Sequence, residues 1–258
     1  MSGQTRYFAL LRQPRSHELP PQAVMKPTHI PTDSSSKRRL LALSAALGGA
    51  LIMAACGGGG DNNSEPLRPK PNAVTTPPTT SCSAAGIAAS NASTAANTVC
   101  MLTSDGEIVV ELDARAPITV DNFLKYVTAK FYDNTIFHRV VPNFVAQGGG
   151  FTTGFVAKTA GLLPAIKLET NVGLSNTKYT IAMARTTDFN SATSQFYFNA
   201  VDNAALDYKS ASEPGYAVFG RVISGQATVD KINAETQLYA GAETPATEVL
   251  LYWAVKLK

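Results

Sequence analysis

The strongest constraint in this chain is a strand-like alternation of apolar and other side chains along its C-terminal part. The alternation is clearest in residues 108–112 and 249–257, and the segments 194–199 and 216–223 are rich in aromatic and β-branched residues. Successive side chains of a strand point to opposite faces, so a period of two is typical of strands that bury one face. The pattern predicts a mainly β domain.

Two segments show helical spacing instead. Residues 120–129 carry apolar side chains at helical intervals behind Thr119, which we expect to cap the helix, and a shorter helix is predicted over 228–233. Asp105-Gly106 lies between two strand-like runs and predicts a hairpin, because both turn positions would need positive φ. Many strands with two helices predict a closed antiparallel barrel with a helix over each open end, since closure removes the unpaired edges.

Residues 1–55 are predicted to be a signal peptide, with Met25 as an alternative start. A positive cluster at 37–39 precedes sixteen uncharged residues, 40–55. A positive cluster followed by an apolar stretch of this length is typical of secretory signals. The stretch is short for a membrane-spanning helix, which needs ~20 apolar residues.

Cys56 directly follows small residues at the end of this apolar stretch, an arrangement that resembles the lipobox of bacterial lipoproteins. The resemblance implies that the Cys56 thiol carries a diacylglycerol and that the chain contacts the membrane through this lipid only. Gly57, rather than Asp, favours the outer membrane in the enterobacterial sorting rule. We therefore expect a bacterial cell-envelope protein at the outer membrane, facing the periplasm. The alternative is an ordinary signal peptide, or an uncleaved anchor, with an incidental cysteine.

Residues 56–96 are predicted to be a lipidated cysteine and a flexible linker. Residues 57–81 are mostly Gly, Asn, Pro, Ser and Thr, which cannot bury enough surface to offset the entropy of the chain. Outside the cytoplasm, Cys82 and Cys100 are expected to form a disulfide. The alternative is two free thiols with Cys100 buried. The remaining residues, 97–258, have the size of one domain.

The distribution of charge and histidine excludes several classes of function. Residues 1–55 hold 7 of the 22 basic and 2 of the 19 acidic residues, which leaves 15 and 17, a net charge of about −2, for the rest. No basic groove for nucleic acid is implied. His17 and His29 lie in the leader, so only His138 remains, which excludes a multi-histidine metal site and leaves one base for a nucleophile triad. We expect no metal and no cofactor.

One segment carries a specific motif. Residues 131–151 read FYDNTIFHRVVPNFVAQGGGF, and related blocks follow at 183–185, 194–197, 206–207 and 218–220. Together and in this order they resemble the signature of the cyclophilins, the peptidyl-prolyl cis–trans isomerases, and most closely the periplasmic bacterial branch. The resemblance covers nearly the whole domain and implies a closed eight-stranded antiparallel β-barrel capped by two α-helices.

The chemistry of this family suits the residues present. The barrier to rotation about an X–Pro bond comes from amide resonance and is ~18–20 kcal/mol. In the twisted transition state the proline nitrogen regains a lone pair, so a positioned donor favours that state without a covalent step. The resemblance implies that Arg139 is this donor, and arginine suits the role because it is permanently charged and rigidly forked. Gln147 and Phe144 are its implied catalytic neighbours.

The resemblance also implies a substrate-binding groove. Its residues are Val145, Ala184, Arg185, Gln195, Tyr197, Leu206 and Tyr216. In a strand over 194–199, Gln195 and Tyr197 share one face and Phe196 and Phe198 the other, which predicts groove for the first pair and core for the second. His138 has no substrate proton to remove, so we interpret it as structural and on the opposite face from Arg139.

The predicted function is a prolyl isomerase that acts, as a monomer, on unfolded or folding envelope proteins. Its partners are proline-containing polypeptides. The alternative is a proline-peptide-binding holdase chaperone with incidental isomerase activity. The presence of Arg139, Phe144 and Gln147 favours the enzyme, since a pure binder could lose the arginine.

Overall fold

The computed structural model describes residues 68–258, which form one antiparallel sheet of eleven strands and three α-helices. The strands are β1 (Asn97–Thr103), β2 (Gly106–Leu112), β3 (Thr135–Ile136), β4 (Arg139–Val141), β5 (Val145–Gly148), β6 (Phe151–Thr152), β7 (Val156–Ala157), β8 (Thr180–Met183), β9 (Phe196–Asn199), β10 (Val218–Ser224) and β11 (Leu250–Lys256). The helices are α1 (Ala84–Ala92), α2 (Pro117–Thr128) and α3 (Gln226–Asn233), with short 3-10 segments at Thr153–Phe155 and Ala204–Leu206.

The strand order corrects part of the predicted architecture. It runs β4-β5-β9-β8-β10-β2-β1-β11-β3-β6-β7, so the prediction of a mainly β, antiparallel fold is confirmed. The closed eight-stranded barrel is not, because within residues 68–258 no ladder joins the end strands β4 and β7, and the sheet is open and curled. Strands β3, β6 and β7 have two residues each, too few for any alternation to reveal them.

The main core lies between one face of the sheet and helices α2 and α3. Phe123 of α2 is fully buried, and its ring centroid lies 5.1 Å from that of Phe219 and 5.2 Å from that of Tyr132. Burying an aromatic or large aliphatic side chain stabilises a fold by about 1.5–3 kcal/mol. On α3, Val229 and Ile232 are fully buried, as their spacing predicts.

The start of α2 differs from the prediction. The helix begins at Pro117, a residue suited to the first turn because its missing N–H needs no partner there. Thr119 lies inside the helix and does not cap it. Instead, the Glu169 carboxylate accepts hydrogen bonds from the backbone N–H groups of Ile118 (3.1 Å) and Thr119 (2.6 Å). A carboxylate about fifty residues away in sequence therefore caps the helix N-terminus in place of the predicted local cap, Thr119.

The β1–β2 hairpin is present, but its turn is shifted by one residue. Thr103 pairs with Gly106, so the connecting residues are Ser104 and Asp105. Of the predicted turn pair, only Gly106 has positive φ, at 141°. The Thr103 hydroxyl accepts hydrogen bonds from the N–H groups of Asp105 and Gly106, which satisfies the turn through a side chain rather than through two positive φ angles.

Residues 68–96 are held against the domain, in contrast to the flexible linker predicted there. The Tyr252 hydroxyl donates to the Val74 carbonyl (2.6 Å), and the Trp253 indole N–H donates to the Thr79 carbonyl (2.8 Å). Both donors come from β11, so the composition of the segment could not reveal them. Ordering of this polar segment therefore depends on partners far along the chain.

Helix α1 was also not predicted. Ser83 caps it, accepting from the N–H of Gly86 at 3.0 Å, and in turn donates from its hydroxyl to Glu107 of β2 at 2.6 Å. Gly86 allows close approach to the sheet, since a Cβ there would collide with the Glu107 carboxylate and the Cys82 sulfur. Cys82 forms a disulfide with Cys100 of β1, with a Cα–Cα distance of 6.1 Å.

The predicted signal peptide (1–55), Cys56 and the linker as far as residue 67 lie outside the described residues. Within residues 68–258, no helix combines the length and apolarity needed to cross a membrane.

Candidate active site

A row of paired residues crosses five neighbouring strands on the face of the sheet opposite the main core. Arg139 of β4 pairs with Gln147 of β5, which pairs with Tyr197 of β9. Tyr197 pairs with Ala182 of β8, and Ala182 with Val218 of β10. Because side chains alternate along each strand, the register places these five residues on one face.

The neighbouring register positions belong to the core. Val140 pairs with Ala146, Ala146 with Phe198, and Phe198 with Ile181, and all four residues are fully buried. Phe196 and Phe198 lie in the main core, whereas Tyr197 lies in a different cluster. The two faces of 194–199 are therefore divided as the alternation predicts.

An apolar cluster surrounds this row. Its buried members are Val145, Ala182, Tyr197, Leu206 and Val218, and the half-buried Phe144, Leu174, Ala184 and Tyr216 pack against them. The fold thus brings Phe144, Val145, Ala184, Tyr197, Leu206 and Tyr216, all site candidates from the sequence, into one cluster.

Arg139 lies at the end of the row, on the edge strand β4. Its side chain is 27% exposed and forms two hydrogen bonds with the carboxylate of Glu243. Nε donates to Oε2 at 2.7 Å and Nη2 to Oε1 at 3.2 Å. Glu243 is 104 residues away in sequence, and no sequence pattern identified it.

The polar candidates Gln147 and Gln195 are joined directly. The Gln147 amide Nε2 donates to Gln195 Oε1 at 2.9 Å, which leaves the Gln147 carbonyl oxygen as an acceptor beside the row. Arg185 lies on the other side of the cluster. Its guanidinium is 4.5 Å from the ring centroid of Tyr216 and 5.1 Å from that of Phe189, and it donates to the Gly215 carbonyl at 2.9 Å.

A family comparison identifies the domain. Residues 98–252 match the family model described as Cyclophilin type peptidyl-prolyl cis-trans isomerase/CLD, more than half of the chain. The chain belongs to the cyclophilins.

Two curated relatives are named peptidyl-prolyl cis-trans isomerases. Peptidyl-prolyl cis-trans isomerase cyp18 of Streptomyces antibioticus is 53% identical over 139 residues, which cover 53% of this chain and 82% of that protein. Peptidyl-prolyl cis-trans isomerase B of Escherichia coli is 44% identical over 154 residues, covering 58% and 93%. Among solved structures, a Cryptosporidium parvum cyclophilin-type isomerase has a TM-score of 0.52 at 22% identity, covering 62% of this chain and 96% of that one, and supports the shared fold.

Behind the apolar cluster, this cyclophilin has a polar network that no sequence motif indicates. The Tyr197 hydroxyl donates to Asn176 Oδ1 at 2.8 Å, and the Asn176 amide donates to the Leu206 carbonyl at 3.1 Å. The Asn199 amide also donates to Asn176 Oδ1, at 3.2 Å. Burial raises the pKa of Tyr197 well above its usual value, so the phenol stays neutral and remains a donor. Alternation along β9 places Asn199 on the same face as Tyr197, so the sequence indicates its position. Asn176 lies outside the strands, and no sequence pattern indicates its role.

A cavity of about 740 Å³ lies away from Arg139. It is lined by residues that include the ion pairs Glu111–Arg221 and Asp113–Arg115. Only Val218 and Leu174 of its lining also belong to the apolar cluster. We assign the candidate site of the cyclophilin to the cross-strand row rather than to this cavity, because the candidate catalytic side chains do not line the cavity.

His138 lies between β3 and β4, and its environment favours the neutral imidazole. Its ring centroid is 4.5 Å from that of Phe151, and Nδ1 is shielded from solvent. Burial and the positive charge of Arg139 lower the pKa of His138 to about 4, against the opposing effect of hydrogen bonds with the Ile136 backbone and the Gln195 side chain. The imidazole therefore carries no charge at neutral pH.

The low pKa of His138 predicts a loss of stability in mild acid. As the pH falls, a histidine with a folded-state pKa near 4 and an unfolded-state pKa near 6.5 is protonated first in the unfolded chain. Its contribution to the free energy of unfolding is therefore complete above pH 6.5 and decreases as the pH is lowered. We expect the free energy of unfolding to fall by about 2 kcal/mol between pH 7 and pH 5 from this group. Urea unfolding of wild type and His138→Phe across this range measures it. An equal pH dependence in both proteins would contradict the assignment.

Proposed function

We propose that this protein catalyses rotation about X–Pro bonds, with Arg139 donating a hydrogen bond to the proline nitrogen in the twisted transition state. The observation that carries the proposal is the cross-strand row, which places Arg139 and Gln147 beside the apolar cluster around Tyr197. A charged donor next to an apolar pocket suits a substrate that combines an apolar ring with a nitrogen that becomes basic only when the bond twists.

In this mechanism the apolar cluster binds the proline ring, and Phe144, Val145 and Leu206 exclude water from it. In the planar ground state the proline nitrogen shares its lone pair with the carbonyl and is a poor acceptor. As the bond twists, the lone pair returns to the nitrogen and the hydrogen bond from Arg139 strengthens. An interaction that is stronger in the transition state than in the ground state lowers the barrier.

The remaining candidates orient the peptide. We propose that Gln147 accepts a hydrogen bond from the substrate backbone or donates one to it. Its bond to Gln195 holds the Gln147 amide in place. Ala184 and the backbone of Arg185 are assigned to the residue before proline. The stacking of Arg185 on Tyr216 supports this assignment, because it fixes that segment against one wall of the apolar cluster.

We propose that the substrates are unfolded or folding proteins of the bacterial envelope, and that the chain is exported, lipidated at Cys56 and held at the outer membrane. The Cys82–Cys100 disulfide supports an extracytoplasmic location, because disulfides persist in oxidising compartments. We further propose a monomer, since the cross-strand row and the apolar cluster around Tyr197 are both built within one domain.

NMR exchange spectroscopy on a short peptide with an Ala-Pro bond tests the function. Uncatalysed exchange takes tens to hundreds of seconds, so cross-peaks between cis and trans signals within a second require a catalyst. We expect such cross-peaks at catalytic concentrations of the protein. A folded protein that binds the peptide and produces none would contradict the proposed enzyme and favour the holdase alternative.

Lipidation at Cys56 predicts that Cys56→Ser releases the protein from membranes. Two acyl chains anchor a protein stably, whereas none of the described helices could span the bilayer. Fractionation of cells labelled with a fatty acid measures both membrane association and lipid content. Gly57→Asp is the matched control, because it should keep the lipid and change only which membrane holds the protein. Lipid labelling of Cys56→Ser would contradict the proposal.

A further inference from the structure

We propose that Glu243 is a positioning residue for prolyl isomerisation, which holds the guanidinium of Arg139 in its catalytic orientation. The inference rests on the proposed function. Glu243 binds the side-on edge of the guanidinium, formed by Nε and Nη2. Two parallel hydrogen bonds to one carboxylate fix the plane of the guanidinium as well as its position.

This arrangement leaves the distal edge of the guanidinium for the substrate. Arginine has five N–H groups, and Glu243 uses Nε and one hydrogen of Nη2. The two hydrogens of Nη1 and the second hydrogen of Nη2 are not used by Glu243, and one hydrogen of each nitrogen points to the distal edge. A carboxylate bound to the distal edge would instead compete with the peptide for Arg139 and inhibit catalysis. Because Glu243 binds the side-on edge, it can position Arg139 without blocking the substrate.

The carboxylate is itself held in place, because the loop that carries it is attached to the same strand as Arg139. The backbone carbonyl of Glu243 accepts from the Val140 N–H at 2.7 Å. Within the loop, Leu238 N–H donates to the Thr244 carbonyl at 2.9 Å. Both the backbone and the side chain of Glu243 therefore bind consecutive residues of β4, which restrains the pair even though the Glu243 side chain is 54% exposed.

The loop is also fixed from its other side by the N-terminal segment of the described chain. The Lys70 N–H donates to the Ala246 carbonyl at 2.8 Å, and the Glu248 N–H donates to the Lys70 carbonyl at 2.8 Å. The Asn72 amide donates to the Glu248 carbonyl at 3.1 Å. Residues that precede the catalytic domain in sequence thus brace the loop that carries Glu243.

Glu243 is the acceptor that holds Arg139 among the described residues. Gln147 pairs with Arg139 across β4 and β5, but the structure shows no hydrogen bond from the guanidinium to the Gln147 carbonyl oxygen. Hydrogen bonds of the Arg139 guanidinium to residues within 68–258 go to Glu243. Without that carboxylate, a long and partly exposed side chain on an edge strand would sample several rotamers.

The test uses full-length protein and exchange spectroscopy on the Ala-Pro peptide at several peptide concentrations. We expect Glu243→Ala to lower kcat by about tenfold with little change in KM, since misorientation of a catalytic group costs rate up to ~10²-fold. Glu243→Gln keeps the shape and one acceptor oxygen, so its loss should be smaller. Asp121→Asn, which breaks the exposed Asp121–Lys125 ion pair on α2, is the matched control and should behave as wild type.

Two readouts separate positioning from a general structural effect. In an Arg139→Ala background, Glu243→Ala should cause no further loss of rate. The Arg139 Nε–H resonance should exchange slowly with water in wild type and rapidly in Glu243→Ala. Wild-type or faster catalysis by Glu243→Ala, or an undiminished loss in the Arg139→Ala background, would overturn this inference alone. Absence of catalysis by wild type would overturn the proposed function and the inference with it.

Discussion

Arg139→Ala is expected to lower kcat/KM for X–Pro isomerisation by about 10²–10³-fold, the usual cost of removing one preorganised transition-state donor. The expected loss is large because Arg139 is the one charged side chain of the cross-strand row. Peptide binding should weaken much less, because the apolar cluster that holds the proline ring does not include Arg139. The variant should also fold, since the Arg139 side chain is partly exposed and lies outside the core.

Exchange spectroscopy with the Ala-Pro peptide measures this loss, and peptide titration measures binding in the same samples. Arg221→Ala is the matched control, because Arg221 is also an arginine of the sheet in an ion pair, with Glu111, but it lies away from the row. Arg139→Lys should not restore the rate, since an ammonium cannot reproduce the side-on pair with Glu243 and the distal donors together. A folded Arg139→Ala protein with wild-type kcat/KM would rule out the proposed mechanism.

Removal of the Cys82–Cys100 disulfide is expected to lower the free energy of unfolding by about 3 kcal/mol, since in the unfolded chain it joins two residues that are 18 positions apart in sequence. The loop between the two cysteines contains α1, whose buried residues are Gly86 and Ser90 and whose contacts with the sheet include the Ser90–Thr98 hydroxyl pair at 2.6 Å. Without the covalent link, these contacts have to hold the helix alone. We expect α1 to become the least stable part of the domain.

Guanidinium unfolding of wild type, with and without reductant, and of the double variant Cys82→Ala/Cys100→Ala measures the effect. The double variant controls for thiol chemistry and should match reduced wild type. Amide exchange should increase first in residues 83–96, and isomerase activity at low temperature should persist because the site lies on other strands. Equal unfolding midpoints for all three samples would show that the disulfide contributes nothing to stability.

Much of the candidate site could be predicted because its information is local. Residues 131–151 and 194–199 each carry several site residues that the resemblance to the cyclophilins identifies, and alternation within 194–199 assigns each side chain of that segment to a face. The division between Tyr197 in the groove cluster and Phe198 in the core follows from that rule. The mainly β class follows from the same period of two, because it depends only on the next residue along the strand.

What only the tertiary structure decided involves partners that are distant in sequence. Glu243 reaches Arg139 from 104 residues away, Glu169 caps α2 from fifty residues away, and β11 orders a segment near Val74 that its own composition would leave disordered. Strands of two residues are likewise decided by their neighbours. Glu243, Glu169 and the donors of β11 each gain their role from a group that the fold brings next to them. The two partners are far apart in sequence, and no local pattern links them.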